Sequence, residues 1–294
     1  MYWKSWANQV KRKDNIMQRF LLPVLMIFCI ARFAVAQDST SVWKKAGNIS
    51  LNMTQSQFDN YIQGGEDTFA WQTGLSFQFT KKNERYNLSH SGKLSYGKSK
   101  IGDQGARKTV DEIKLESVYT QQLTPIVNPF ISATGESQFT AGYDYSNGKT
   151  ERSNFLDPAF FRESIGLNYN PSDVFKARLG FSCKQTVTSD HAKPFADDPA
   201  TARIEKTKIE YGLESVVDLK KKLTKTGRIV SKLEIFSNLH RIDETDVRWD
   251  TEITAEFTKY IDFTMNMQLL YDKTISSKRQ IKEMIGVGLS YNLF

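Results

Sequence analysis

Apolar and polar side chains alternate with a period of two along most of the chain. Segment 69–79 places Phe69 and Trp71 on one side and small or polar residues on the other, and segments 247–257 and 261–271 follow the same rule. Successive side chains of a β-strand point to opposite faces, so this period is typical of strands with one apolar face. The chain is therefore predicted to be all-β.

The alternating segments are long. Strands of globular domains usually have about 5–6 residues, whereas a tilted strand that crosses a bilayer needs roughly 9–11. Most of the segments reach or exceed the second length, which favours membrane-spanning strands. Twelve segments are predicted, at 47–55, 68–80, 86–98, 110–123, 129–141, 159–169, 174–186, 206–219, 227–239, 246–258, 260–272 and 282–294.

The connections alternate between short and long, which is typical of outer-membrane barrels with short periplasmic turns and long outer loops. We therefore expect an antiparallel transmembrane β-barrel of about twelve strands over residues 47–294, preceded by a periplasmic segment at 37–46. The predicted short turns are 81–85, 124–128, 170–173, 220–226 and Lys259, and the predicted long loops are 56–67, 99–109, 142–158, 187–205, 240–245 and 273–281.

The first 36 residues have the pattern of a cleaved signal peptide. Arg19 supplies a positive charge, an apolar run follows, and Ala34-Val35-Ala36 fits the small-residue cleavage rule. Met17 is the expected translation start. The pattern predicts an exported protein that resides in the outer membrane of a Gram-negative cell.

Removing residues 1–36 changes the charge balance. The whole chain carries 40 Lys and Arg against 33 Asp and Glu, but the remainder carries 34 against 32, a net charge of +2. This balance gives no reason to expect a nucleic-acid partner. The charged fraction of 25% also argues against a bundle of transmembrane helices. Cys183 is the one cysteine of the predicted mature chain, so no intrachain disulfide is expected.

The last segment ends in an aromatic residue, Phe294, after alternating apolar positions that include Val287, Leu289 and Tyr291. This ending is similar to the signal that outer-membrane barrels present to the barrel-assembly machinery, which we therefore expect as a partner together with outer-membrane lipid. Phe294 is out of phase with the other apolar positions, and we expect this shift to affect insertion.

Several blocks spread along the chain form a recognisable set; they are 43–47, 61–66, 103–109, 155–159, 233–238, 270–272 and 283–291. Together they resemble an uncharacterised, domain-of-unknown-function outer-membrane β-barrel family of Bacteroidota. Tyr61 stands where a Trp is expected. The resemblance implies location and barrel fold, and supplies no substrate and no catalytic residues.

No segment carries a convincing catalytic, cofactor-binding or metal-binding pattern. Ser146-Asn147-Gly148 has Asp144 at the position where twelve-stranded phospholipases have a His, and is interpreted as a turn. His90, His191 and His240 share no metal-ligand spacing. Enzymatic activity and a cofactor are not expected, although a phospholipase-like outer-membrane hydrolase stays open as an alternative.

The charged positions of the strands are expected to face the lumen, because a charge on the lipid face costs about 2–4 kcal/mol at mid-membrane. Their signs are mixed within strands, which favours ion pairs that fill a narrow lumen; a path for anions past Arg162, Lys176, Arg178 and Lys184 is the alternative. The predicted inward charges are Lys93, Lys114, Glu116, Glu136, Arg162, Lys176, Arg178, Lys184, Lys208, Glu210, Glu214, Arg228, Lys232, Glu234, Arg248, Asp250, Glu252 and Glu256.

Two outer features remain. The predicted loop 56–67 is unusually apolar, and Phe58, Tyr61, Gly64 and Gly65 are candidates for a constriction of the barrel mouth. The long loops 142–158 and 187–205 could instead bind a surface partner. We expect a narrow passive channel or structural barrel, porin-like, with an unidentified solute; a surface-binding barrel is a further alternative.

Overall fold

The computed structural model describes residues 43–57, 66–195, 204–273, 276 and 278–294. Within them, twelve antiparallel strands close into a barrel, which confirms the predicted fold class. The barrel strands are β1 (Trp43–Ser56), β2 (Thr68–Lys82), β3 (Tyr86–Ile101), β4 (Arg107–Gln121), β5 (Val127–Ser137), β8 (Ala159–Tyr169), β9 (Phe175–Val187), β10 (Thr207–Lys222), β11 (Gly227–Asn238), β12 (Thr245–Glu256), β13 (Ile261–Tyr271) and β14 (Gln280–Asn292).

Neighbouring strands in the sequence are also neighbours in the barrel, with one interruption. β5 pairs with β8, because β6 (Gly142–Asp144) and β7 (Thr150–Ser153) form a separate two-stranded hairpin in the intervening loop. The first and last strands close the ring, with Asn48 opposite Asn292. Closure gives the edge strands backbone hydrogen-bond partners, which a sheet in lipid requires.

The chain end and the short turns lie at one end of the barrel, here named the turn end; the opposite end is the loop end. Polar side chains fix the short turns: Asn83 Oδ1 accepts the backbone N–H of Tyr86 at 2.7 Å, and Asn128 Oδ1 accepts that of Leu123 at 2.6 Å. The connection 102–106 at the loop end is shorter than the predicted 99–109, since β3 and β4 continue their pairing to Ser99 and Arg107.

β1 begins at Trp43 rather than at residue 47, because its ladder with β2 continues to the pair Trp43 and Lys81. The predicted signal peptide 1–36 lies outside the described residues, as do the first residues of the predicted periplasmic segment and the mouth-constriction candidates Phe58, Tyr61, Gly64 and Gly65. In the described part of the chain, no helix is long and apolar enough to cross a membrane.

Candidate functional site: the barrel lumen

The two faces of the barrel wall differ in chemistry. Outward side chains are apolar and exposed, for example Ile165 at 59% and Phe181 at 65% exposure. Inward side chains are polar, and several charged ones are buried, among them Glu234 at 6% and Arg178 at 8%. Such a surface is suited to lipid outside and water inside. The lumen is therefore the candidate functional site.

Arg248 on β12 is the centre of the charged network that fills part of the lumen. Its Nη1 donates to Glu136 Oε2 on β5 at 2.7 Å, its Nη2 donates to Glu112 on β4, and its Nε donates to Asp250 Oδ2 at 2.7 Å. β4 lies opposite β12 in the ring. One guanidinium thus joins opposite walls of the barrel, which requires the lumen to be narrow at this level.

A second bridge crosses the lumen beside the first. Lys114 Nζ on β4 donates to Glu234 Oε2 on β11 at 2.6 Å and lies 3.0 Å from Glu136 Oε1. Lys232 on β11 reaches Glu116 on β4 at 2.8 Å. Because these strands are far apart in the ring, the two bridges hold β4 and β11 together across the interior.

The network extends toward β9 through Arg178, whose Nη2 donates to Glu116 Oε1 at 2.5 Å. Toward the loop end, Lys184 Nζ lies 2.5 Å from Asp246 Oδ2 and 3.4 Å from Glu210 Oε2. The Lys184 ammonium also lies 5.6 Å from the ring centre of Phe236, a fully buried inward residue. This apolar ring packs between the charges and fills space that water would otherwise occupy.

Arg162 and Glu214 complete the filled side. Arg162 Nη1 donates to Glu214 Oε1 at 3.0 Å, and the hydroxyl of Ser164 donates to Glu214 Oε2 at 2.5 Å. With this pair, Arg162, Arg178 and Lys184 all contact carboxylates. The arrangement favours the ion-paired lumen over an anion path along those three residues.

The structure places the other predicted charges as follows. Lys93 lies 3.1 Å from Glu112, Lys208 lies 3.2 Å from Glu210, and Arg228 lies 4.0 Å from Glu252. Lys176 and Glu256 lie opposite Asp218 and Asp262 on neighbouring strands. Sequence reasoning missed inward charges that the same alternation would have found; these include Glu112, Asp218, Lys220, Lys222, Asp246, Asp262 and Lys282.

A cavity of about 750 Å³ lies inside the barrel beside the charged network. It extends from Asn292 near the turn end to Lys282 near the loop end. Four adjacent strands, β1, β2, β13 and β14, form one wall of it. Uncharged polar side chains dominate that wall; they are Asn48, Ser50, Asn52, Gln72, Ser76, Gln78, Thr264, Asn266, Gln268, Ser290 and Asn292.

The outer loops meet at Asp157, which is buried at 4% exposure. Its carboxylate accepts the backbone N–H groups of Ser189 at 2.7 Å and Asp190 at 2.8 Å, and lies 2.9 Å from His191 Nδ1. These hydrogen bonds hold the pKa of Asp157 below its usual value, although burial opposes them. The loop after β9 is thereby fastened to the loop that precedes β8.

The segment Ser146-Asn147-Gly148 is a turn between β6 and β7, as predicted. Gly148 has a φ of +91°, which glycine adopts readily, and the backbone N–H of Ser146 donates to Asp144 Oδ1 at 2.9 Å. The hydrogen bonds from Ser146 and from Arg152 lower the pKa of Asp144 to about 2. Within the described residues, no three His, Cys, Asp or Glu side chains are grouped as a metal site.

Polar side chains on the outward face pair with a neighbouring strand at Glu163 and at His90. Glu163 on β8 accepts a hydrogen bond from Gln185 Nε2 on β9 at 3.0 Å. His90 on β3 lies 2.8 Å from the Ser117 hydroxyl on β4, between Nδ1 and Oγ, and its ring stacks on Trp43. In both cases a cross-strand neighbour satisfies a polar group that faces away from the lumen.

Comparison with known proteins finds a match to a family model over part of the chain and several similar solved barrels. A model of a protein family of unknown function, DUF3078, matches residues 53–143. No curated protein sequence matches the chain. The bacterial group named in the sequence resemblance stays a prediction.

Solved barrels are similar at low identity. The translocator domain of autotransporter NalP from Neisseria meningitidis has 11% identity and a TM-score of 0.37, over 95% of this chain and 97% of that one. The KdgM porin has 11% identity and a TM-score of 0.34, over 84% and 99%. Pseudomonas putida OprB has 8% identity and a TM-score of 0.34, over 85% and 94%. Likeness at this level says nothing of what passes through the barrel.

Proposed function

We propose that this protein is an outer-membrane β-barrel that acts as a narrow passive channel. The observation that carries the proposal is the polar cavity of about 750 Å³, which runs beside the charged network inside a closed barrel. A lumen that only had to be filled would not need an uncharged polar wall along β1, β2, β13 and β14. Amide and hydroxyl side chains form hydrogen bonds with water in the lumen, and small polar solutes can replace that water as they pass.

Placement in the outer membrane rests on the barrel surface and the leader pattern together. Apolar side chains such as Leu179 at 60% and Ile285 at 60% exposure would be costly in water and are suited to lipid. The proposed partners follow from this placement. They are outer-membrane lipid around the wall and the assembly machinery, which would read the strand that ends at Phe294.

The direct test is conductance of the refolded chain 37–294 in planar lipid bilayers. Folding is first checked by heat-modifiable gel mobility. We expect small, steady openings of uniform size, because the cross-lumen bridges leave only part of the interior open. A folded barrel that never conducts would contradict the proposal and leave a structural role.

A matched pair of variants separates lumen conduction from leakage around the protein. Asn266 on β13 lines the cavity, whereas the preceding residue, Met265, faces outward. We expect Asn266→Trp to reduce the conductance and Met265→Trp to leave it unchanged. Equal effects of the two variants would show that current does not pass along this wall.

A further inference from the structure

We propose that the open part of the lumen conducts small carboxylate anions, drawn in by Lys220 and Lys282. The inference rests on the proposed channel function and names its substrate class. It starts from a difference between the two signs of charge in the cavity: nearly all of its carboxylates are held in ion pairs, whereas the ammonium groups of Lys220 and Lys282 are not.

Most of the carboxylates that line the cavity have a cation close by. Glu116 contacts both Arg178 and Lys232, and Glu112 contacts both Lys93 and Arg248. Asp262 is the exception: it has no cation within 4 Å among the described residues and accepts a hydrogen bond from the Ser290 hydroxyl instead. A carboxylate that already has a cation beside it contributes little to the potential experienced by a solute a few ångströms away.

Lys220 and Lys282 make no ion pair within 4 Å in the described part of the chain. Lys220 lies on β10 toward the turn end, and its Nζ lies 3.5 Å from Gln78 Oε1 on β2, on the opposite side of the ring. Lys282 lies near the start of β14, at the loop end. Both side chains line the cavity and are exposed to its water. The cavity thus has a cation with surplus charge toward each end.

The side chains between the two lysines can donate hydrogen bonds to an anion along its path. Asn266 on β13 and Asn52 on β1 carry amide N–H groups that can donate to carboxylate oxygens. Gln268 Nε2 already donates one N–H to Asp250 Oδ1 at 2.7 Å and has a second N–H to offer. Ammonium and amide donors together fit a small carboxylate better than an apolar or cationic solute. The cross-lumen bridges limit the size, so we expect short acids to pass and long ones to be excluded.

The test measures reversal potentials across bilayers with a gradient of potassium acetate, at low and at high salt. We expect the wild-type barrel to prefer acetate over potassium, and the preference to fall at high salt as the lysines are screened. The double variant Lys220→Gln/Lys282→Gln should lose at least roughly fivefold in the anion-to-cation permeability ratio, the effect expected when a unit charge is removed at contact distance in water.

The matched control is Lys45→Gln, which removes the same charge from β1 at a position that does not line the cavity. It should leave the permeability ratio unchanged. The exposed residue 282 also allows the single reversal Lys282→Glu, which should shift the preference toward potassium even if the double variant folds poorly.

The outcomes separate the two proposals. A conducting barrel that prefers potassium or shows no preference overturns the anion inference and leaves the channel intact. A preference that persists in folded Lys220→Gln/Lys282→Gln, or falls equally in Lys45→Gln, also overturns it. A folded barrel without conductance overturns both.

Discussion

Arg248 and Glu136 form a hydrogen-bonded ion pair of 2.7 Å across the interior of the barrel, although 112 positions separate them in the sequence. β12 and β5, which carry them, are separated by four strands in the ring. Such a contact is possible only where opposite walls approach each other. The pair therefore records a narrowed lumen, and the same guanidinium also contacts Glu112 and Asp250.

Replacing Arg248 with Met should destabilise the barrel. The change leaves Glu112 and Glu136 without this cation in a partly dehydrated lumen, and breaking such a pair costs about 3 kcal/mol. The free energy of unfolding by urea in lipid vesicles measures the effect. Arg228→Met is the control, since Arg228 lies 4.0 Å from Glu252 and its side chain is 46% exposed. Equal stabilities of the two variants would contradict the role of Arg248 as the centre of the network.

Replacing Asp157 with Asn should loosen the joint between the outer loops. Hydrogen exchange at the amides of Ser189 and Asp190 should become roughly tenfold faster, because each loses a charged acceptor. The control Asp144→Asn should affect the amide of Ser146 and leave the joint unchanged. Unchanged exchange in Asp157→Asn would mean that backbone contacts alone hold the loops.

The same joint should depend on pH in a definite direction. The pKa of Asp157 is lower in the folded chain than in the unfolded one, so its ionised form stabilises the joint at all pH values above the usual carboxylate range. That stabilisation is lost as the pH falls through the lowered pKa. Exchange at Ser189 should stay slow from neutral pH to about pH 4 and become faster, relative to intrinsic rates, only below it. Loss of protection that is already half complete at about pH 4 would contradict the lowered pKa.

Replacing Glu163 with Gln should stabilise the protein. Glu163 faces outward, where an ionisable side chain is costly. A glutamine at this position still accepts the hydrogen bond from Gln185, so the free energy of unfolding should rise by about 1 kcal/mol. Glu283 on β14 also faces outward but lies nearer the loop end, and Glu283→Gln should change stability by less than about 0.5 kcal/mol. Urea unfolding in vesicles compares the two. A loss of stability in Glu163→Gln would point to a partner that binds the carboxylate.

The terminal ring of Phe294 packs at the seam between the first and last strands. Its centre lies 6.0 Å from that of Phe79, and a Cβ on Gly47 would lie 2.7 Å from its Cε2 atom. We expect Gly47→Val to displace the ring and Phe294→Ala to remove about 1 kcal/mol of packing. In the double variant the two costs should not add, because the ring that the new side chain would displace is already absent. Additive costs in a double-mutant cycle would show that the ring does not lie on Gly47.

The sequence by itself determined the wall of the barrel. Alternation such as Phe69, Trp71 and Leu75 fixes which face meets lipid, and strand length with alternating connections fixes a barrel of twelve. The predicted ends of most strands lie within a few residues of the observed ones; the largest changes, of four residues, are at β1, which begins at Trp43 rather than 47, and at β5, which ends at Ser137 rather than 141. Local patterns suffice here because each strand's period and length are properties of a short segment.

Only the tertiary structure decided what the interior does. Alternation places Arg248 and Lys220 alike inside the barrel, but it does not show that Arg248 meets Glu136 across the lumen while Lys220 has no carboxylate within 4 Å in the described chain. Those contacts depend on the register of strands far apart in the sequence and on how closely opposite walls approach. The position of the Phe294 ring, which is out of phase in the sequence, has the same cause. The ring packs on Gly47 of β1, and the pairing of β1 with β14 that brings the two together is not encoded in any local pattern.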